Sequence, residues 1–380
     1  MNNPFPINKY LGPEHFCDRV EETKTLIQAM EALRSVTLFS DRRLGKTGLI
    51  HHVLYLLENR KKNAFITVYI DIYDTQSEAD FIQKLISAVV MAVEKNEASV
   101  FKSAQKYFAR LKPTLSFDPI TNMPELSVEV VDDKEVSQSL SMLFNYIKGQ
   151  KQKVVIAIDE FQQVLYYPSS GLVARLRAYM QEIENLVFIF SGSKKHMLFN
   201  MFTSAKEPLY HTTQMLPLGK IENLAYKKFI IQKLKEQDTL IDNEAVDEIL
   251  DWTFTYTYYT HVLCSRLFDA QIQHIKLADV LEMEAKILNE LDQVYFNYKV
   301  LLTKVQWNLL KAIGREEELR KPTSTPFLKQ HNLGAASTVQ RALESLMDSE
   351  MVLQRIDEEG QKTYKVYDVF LLRWIQHKYR

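Results

Sequence analysis

Cysteine, glycine and net charge are all in short supply in this 380-residue chain. The two cysteines, Cys17 and Cys264, stand alone, and neither belongs to a zinc-spaced cluster. That excludes a disulfide-stapled fold and points to a reduced protein free of structural metal. Lys+Arg 47 against Asp+Glu 48 leaves a net charge of −1, so the chain is no polycation built for nucleic acid. No apolar run approaches the ~20 residues that a membrane helix needs. The first ten residues lack an apolar signal segment, so a cytoplasmic protein is expected. With only 10 glycines in the chain, a glycine at a strand-to-helix turn is informative. What remains is ordinary globular composition, 46% hydrophobic and 25% charged, in a length that predicts two or three domains.

Val36–Phe39 is a short apolar run followed at once by a helical pattern with Leu49, Ile50, Val53, Leu54 and Leu57 on one face. Phe65–Ile72, Val154–Ile158 and Leu186–Phe190 are nearly continuous apolar runs, as in strands buried on both faces. Helical stretches such as Leu172–Ile183 separate them. The alternation predicts a parallel, doubly wound α/β sheet within residues 1–220. Thr114–Val131 breaks the rhythm with period-two alternation around a turn, and reads as an inserted hairpin. Residues 221–300 are helical throughout by periodicity, a separate helical subdomain. In residues 301–380, helices Gln306–Ile313, Pro326–Asn332 and Ser337–Met347 precede strands Val352–Ile356 and Thr363–Tyr367, the pattern of a winged helix-turn-helix.

The first strand-to-helix turn reads Ser40-Asp41-Arg42-Arg43-Leu44-Gly45-Lys46-Thr47-Gly48. A phosphate-binding loop needs backbone N–H groups at a helix N-terminus, a lysine to reach the β- and γ-phosphates and a hydroxyl for Mg²⁺. Gly45, Lys46 and Thr47 supply these parts in order, and Ser40 stands where the usual pattern has its first glycine. A bare Gly-Lys-Ser/Thr arises by chance about 0.2 times in a chain this long. The flanking strand and helix are the context the motif demands. Val154–Ile158 then ends in Asp159-Glu160. Two adjacent carboxylates closing a buried strand are costly unless used or solvated; in a P-loop protein the first can orient the water shell of Mg²⁺ and the second can polarise an attacking water.

These residues resemble an additional-strand P-loop ATPase of the AAA+/STAND group, specifically the archaeal and bacterial ATPase family with a C-terminal winged helix. The resemblance covers nearly the whole chain, with Ser40–Thr47 as Walker A and Asp159-Glu160 as Walker B. It implies ATP and Mg²⁺ as ligands. Phe16-Cys17-Asp18-Arg19 is similar to the family's opening box, which places Phe16 and Arg19 near the adenine. Ser191-Gly192-Ser193 resembles the end of its sensor strand and implies Ser191 or Ser193 as a γ-phosphate sensor. Asp368, Phe370 and Trp374 resemble its closing motif. Catalytic roles are thereby implied for Glu160, Lys46 and Ser193, and Mg²⁺ ligation for Thr47 and Asp159. The chain also departs from the family. Ser40 puts a β-carbon where the backbone turns most tightly, which lowers the expected affinity. His211 stands in Pro208–Thr212 where relatives carry an arginine, and the lid segment Thr257–His261 lacks the usual glycine and proline. Arg266 is a candidate lid arginine, read rather as a solvated one.

His51-His52 has no further metal ligand at a suitable spacing and reads as a pair of surface histidines. The aromatic stretch Trp252–Tyr259 reads as packed lid core. On the third helix of the winged module, Gln340 and Arg341 are expected to project outward. Residues 301–380 carry 13 Lys+Arg against 10 Asp+Glu, and the wing tip Asp357-Glu358-Glu359 is acidic. Both features favour a protein partner over DNA. Two functions fit: an ATPase switch that binds ATP between the α/β core and the helical lid, and a slow or silent nucleotide sensor whose winged helix grips DNA. The partners expected are ATP or ADP and an unidentified protein, with no membrane and with a homo-oligomer left open.

Overall fold

The computed structural model describes residues 3–7, 9–60, 64–94, 97–117, 124–130, 133–168, 171–356 and 359–379. They fall into two compact units, Asn8–Lys220 and a second made of Met1–Ile7 with Ile221–Arg380.

In the first unit α1 (Val20–Glu31), β1 (Val36–Phe39), α2 (Lys46–Glu58) and β2 (Phe65–Asp71) come first. Then follow α3 (Glu78–Val93), α4 (Glu97–Phe108), β3 (Thr114–Phe117), β4 (Pro124–Ser127) and α5 (Asp133–Lys148). The unit closes with β5 (Lys153–Asp159), α6 (Leu172–Glu182), β6 (Leu186–Gly192), α7 (Lys195–Thr203) and β7 (Gln214–Pro217). Five of these strands form one parallel sheet in the order β2-β5-β6-β1-β7.

The continuous apolar runs are explained by burial on both faces. In β5, Val154, Ile156 and Ile158 enter a core built with α3, α5 and α6. Val155 and Ala157, between them, enter the opposite core with Leu26 and Met30 of α1 and Leu49, Ile50 and Val53 of α2. The strand β7 was not legible in the sequence. Among the described residues it pairs only with β1, its residues are exposed or half-buried, and it ends in Pro217, as edge strands do. The inserted hairpin is present as antiparallel β3–β4; residues 118–123 and 131 of the expected segment lie outside the described residues.

The second unit opens with α8 (Asn223–Lys235), β8 (Leu240–Ile241), α9 (Asn243–Trp252), α10 (Thr257–Asp269), β9 (His274–Ile275) and α11 (Leu277–Leu301). The expectation of an all-helical segment needs one correction: β8 and β9 pair in parallel over two residues each. Trp252, Tyr256 and Tyr259 are buried in the core of this unit, as expected of a packed aromatic stretch. Phe5 of the N-terminal segment is buried here too, edge-on to Phe229 and His261.

The winged helix follows, with α12 (Lys304–Glu316), α13 (Thr325–Gln330), α14 (Ala336–Asp348), the hairpin β10 (Val352–Ile356) and β11 (Lys362–Val366), and α15 (Val369–Lys378). Its residues pack on the preceding helices within the same unit. Trp374 donates Nε1 to Asp292 at 2.8 Å, Asp368 caps α15 by accepting from the Leu371 amide at 2.9 Å, and Phe370 packs on Trp252 and Tyr259. Asp357 and Glu358 of the wing tip lie outside the described residues. No helix among the described residues is long and apolar enough to cross a membrane.

Candidate functional site

The site forms at the carboxyl ends of β1, β5 and β6, where the strand order brings β1 beside β6; crevices at such ends are where open α/β sheets hold ligands. Between β1 and α2 the chain turns with positive φ at Arg43 (67°) and Gly45 (88°). Gly45 serves as the N-cap of α2 in a left-handed conformation, which glycine adopts without steric cost. The amides of Lys46, Thr47 and Gly48 therefore open the helix N-terminus, where the dipole favours an anion. Ser40 is not among the positive-φ residues, so its β-carbon meets no left-handed strain. Its hydroxyl accepts from Lys46 Nζ at 3.2 Å and donates to the Asp41 carbonyl at 2.6 Å.

Lys46 is 7% exposed. Burial pulls its ammonium pKa down, and the carboxylates of Asp159, Glu160 and Asp41 oppose that shift. Asp159, also buried, is held at every turn. Its Oδ2 accepts from Thr47 Oγ1 at 2.7 Å and Tyr69 Oη at 3.3 Å, and its Oδ1 accepts from Ser191 Oγ and the Glu160 amide. The Thr47–Asp159 pair is a hard-oxygen donor set of the type that suits Mg²⁺. Glu160 follows in a left-handed conformation, φ 55° and ψ 36°, which swings its side chain across to β6. There its Oε2 accepts from Ser193 Oγ at 2.7 Å and from Gln162 Nε2. Ser191 and Ser193 thus each engage one of the two carboxylates.

The opening box docks onto this loop. Arg19, 4% exposed, donates to the Leu44 carbonyl at 3.1 Å, to the Gly219 carbonyl at 2.8 Å and to Glu22 at 3.0 Å. Its guanidinium therefore ties the loop to the segment that leaves β7. Phe16 stacks on His52 at 4.0 Å between ring centroids, and a β-carbon on Gly48 would come within 3.9 Å of the Phe16 ring.

The reading of His51-His52 as surface histidines is corrected. Both are half-buried, and burial lowers both pKa values. His52 Nδ1 bonds the Tyr10 hydroxyl at 2.8 Å, while His51 packs on Tyr69 at 4.3 Å. Three contributors were missed: Tyr69, Gln162, and Asp71, which pairs with Asp159 in register. Each becomes visible only once β2, β5 and β6 are aligned. In the second unit Arg266 pairs with Glu290 of α11, in keeping with a helix-surface arginine.

Comparison with known proteins follows the same outline. A family model described as an ATPase domain predominantly from Archaea matches residues 16–256, and one described as a probable winged helix domain matches residues 293–377. No curated protein matches the sequence. Among solved structures the chain is similar to a Walker-type ATPase of Pyrococcus abyssi, with 17% identity, 98% of this chain and 99% of that chain covered, and a TM-score of 0.66. It is also similar to the ORC2 protein of Aeropyrum pernix in ADPNP and ADP complexes, with 13% identity, 99% and 98% covered, and a TM-score of 0.58. At these identities the likeness is one of fold.

Proposed function

This chain belongs to the family of ATPase domains found predominantly in Archaea, and from that premise we propose that it binds ATP with Mg²⁺ at residues 40–48 and hydrolyses it. The observation that carries the reading is the 2.7 Å contact of Thr47 with Asp159 beside buried Lys46, with Glu160 next in the chain. The amides of Lys46, Thr47 and Gly48 and the Lys46 ammonium bind the phosphates; Asp41, Arg42, Arg43 and Leu44 shape the loop. Phe16, stacked on His52, offers the adenine an aromatic neighbour, and Arg19 acts through the loop it anchors. Thr47 and Asp159 would hold Mg²⁺, which when bound neutralises phosphate oxygens. Glu160 takes a proton from water. The water oxygen bonds the γ-phosphorus as the bridging P–O bond breaks, and its electron pair leaves on ADP. Ser193 orients Glu160 through its hydroxyl. Phosphate release from ATP by the full chain tests this reading: release is expected with Mg²⁺ and none with a chelator, and the absence of release under both conditions would refute hydrolysis.

The Arg19 tie between Leu44 and Gly219 supports a switch, because Gly219 immediately precedes the end of the first unit. For the winged helix we infer a protein partner. Gln340 and Arg341 are exposed on α14, but Gln340 donates to Glu344 at 2.9 Å, so an acidic group shares the face that would enter a groove. Fluorescence anisotropy of the full chain with a labelled duplex tests it. Weak binding at physiological salt is expected; submicromolar, salt-sensitive binding abolished by Arg341→Ala would establish the DNA reading instead.

A further inference from the structure

Glu160 is held by more than the serine that family resemblance points to. Gln162 lies two residues on, in the 3-10 turn Phe161–Tyr166, and is 3% exposed. Its Nε2 reaches back to Glu160 Oε2, the same oxygen that accepts from Ser193 Oγ at 2.7 Å. Its Oε1 is buried without a hydrogen-bond partner, a state that costs free energy. Turning the amide over would put oxygen against the carboxylate, so the orientation is dictated by Glu160. Room for the amide comes from β6: a β-carbon on Gly192 would collide with Gln162 Oε1 and lie 3.1 Å from its Cδ. Gly192 has no positive φ, so glycine is needed there for space and not for backbone freedom.

We propose that Gln162 is a positioning residue for hydrolysis: with Ser193 it clamps Oε2 of Glu160, leaving Oε1 to face the water it deprotonates. Gly192 is the gap that admits the clamp. The inference rests on the hydrolytic reading above. The Gln162 amide, the Ser193 hydroxyl and the Ser193 backbone N–H at 3.4 Å all donate to that one carboxylate oxygen and fix its rotamer. Removing the Gln162 donor loosens that grip and lets the side chain turn away.

The experiment uses the full chain with ATP and Mg²⁺ and follows ATP affinity by calorimetry and steady-state phosphate release across a range of ATP concentrations. The variants are Gln162→Leu, which fills similar volume without a donor, and Gly192→Ala, which crowds the amide and leaves Gln162 in place. Both are expected to keep ATP affinity and to lower kcat by roughly 10- to 100-fold, the reach of one charge-assisted hydrogen bond. KM for ATP should stay as in the wild type while kcat falls, a split that a merely structural residue would not cause. Unchanged turnover in Gln162→Leu would overturn the proposal and leave the hydrolytic reading intact. Loss of ATP affinity in both variants would make Gln162 structural and also overturn it. A wild type without turnover would refute hydrolysis, and this inference with it.

Discussion

Replacing Lys46 with alanine removes the buried cation at the mouth of α2, and its effect can be worked through to a melting temperature. One charge-assisted contact to phosphate contributes about 1.5–3 kcal/mol, so ATP affinity should fall by roughly 10- to 150-fold. At an ATP concentration one hundred times the wild-type Kd, binding stabilises the fold by about 2.7 kcal/mol; after a hundredfold loss it stabilises by about 0.4 kcal/mol. The loop sits in a unit of about 210 residues, in which each kcal/mol is worth about 2–4 °C. The ATP-dependent rise in the melting temperature of that unit should therefore shrink from about 5–11 °C to about 1–2 °C. Differential scanning fluorimetry with and without ATP and Mg²⁺ reads this directly, and melting without nucleotide controls for folding. An undiminished ATP shift in Lys46→Ala would refute the phosphate-binding role of the loop.

Two further predictions concern buried charge. Arg19→Met removes the donor that the Leu44 and Gly219 carbonyls and the Glu22 carboxylate share; urea unfolding should show a loss of about 1–3 kcal/mol, and an unchanged midpoint would contradict the anchoring role. In the second unit Glu284, 7% exposed with Oε1 lacking a partner, has its pKa pushed up to about 8 by burial and then by Glu248, against the pull of Arg373. The folded state thus holds a proton that the unfolded chain releases near its ordinary value of 4.5, so stability falls as pH rises from about 5 to about 8, by up to about 1.4 kcal/mol per unit. Glu284→Gln should abolish that decline, and a Tm difference between variant and wild type that is the same at pH 5.5 and pH 8 would contradict it.

Much of this architecture is readable before any coordinates, and the exceptions have physical reasons. Four sheet strands announce themselves because both of their faces are covered and nearly every position is apolar; β7, whose residues are exposed or half-buried, carries no such run. The roles proposed for Lys46, Thr47, Asp159 and Glu160 are legible because phosphate and Mg²⁺ binding would need those residue types at a strand-to-helix turn and a strand end. Tyr69, Asp71 and Gln162 are ordinary residues in one dimension, and their bearing on the carboxylates depends on parallel register across β2, β5 and β6. His51 and His52 were misread because α2 is covered twice, by the sheet and by the segment carrying Tyr10 and Phe16. The N-terminal residues around Phe5 belong with the second unit, a long-range pairing that no local pattern signals.

The central claim is that Glu160 is the base for ATP hydrolysis at this loop. Single-turnover phosphate release from saturating ATP and Mg²⁺, for wild type and Glu160→Gln side by side, tests it most directly. The amide keeps the size of the side chain but cannot take a proton. The account predicts unchanged ATP affinity with release slowed by roughly 10²–10⁴-fold; equal release rates in the two proteins would contradict it.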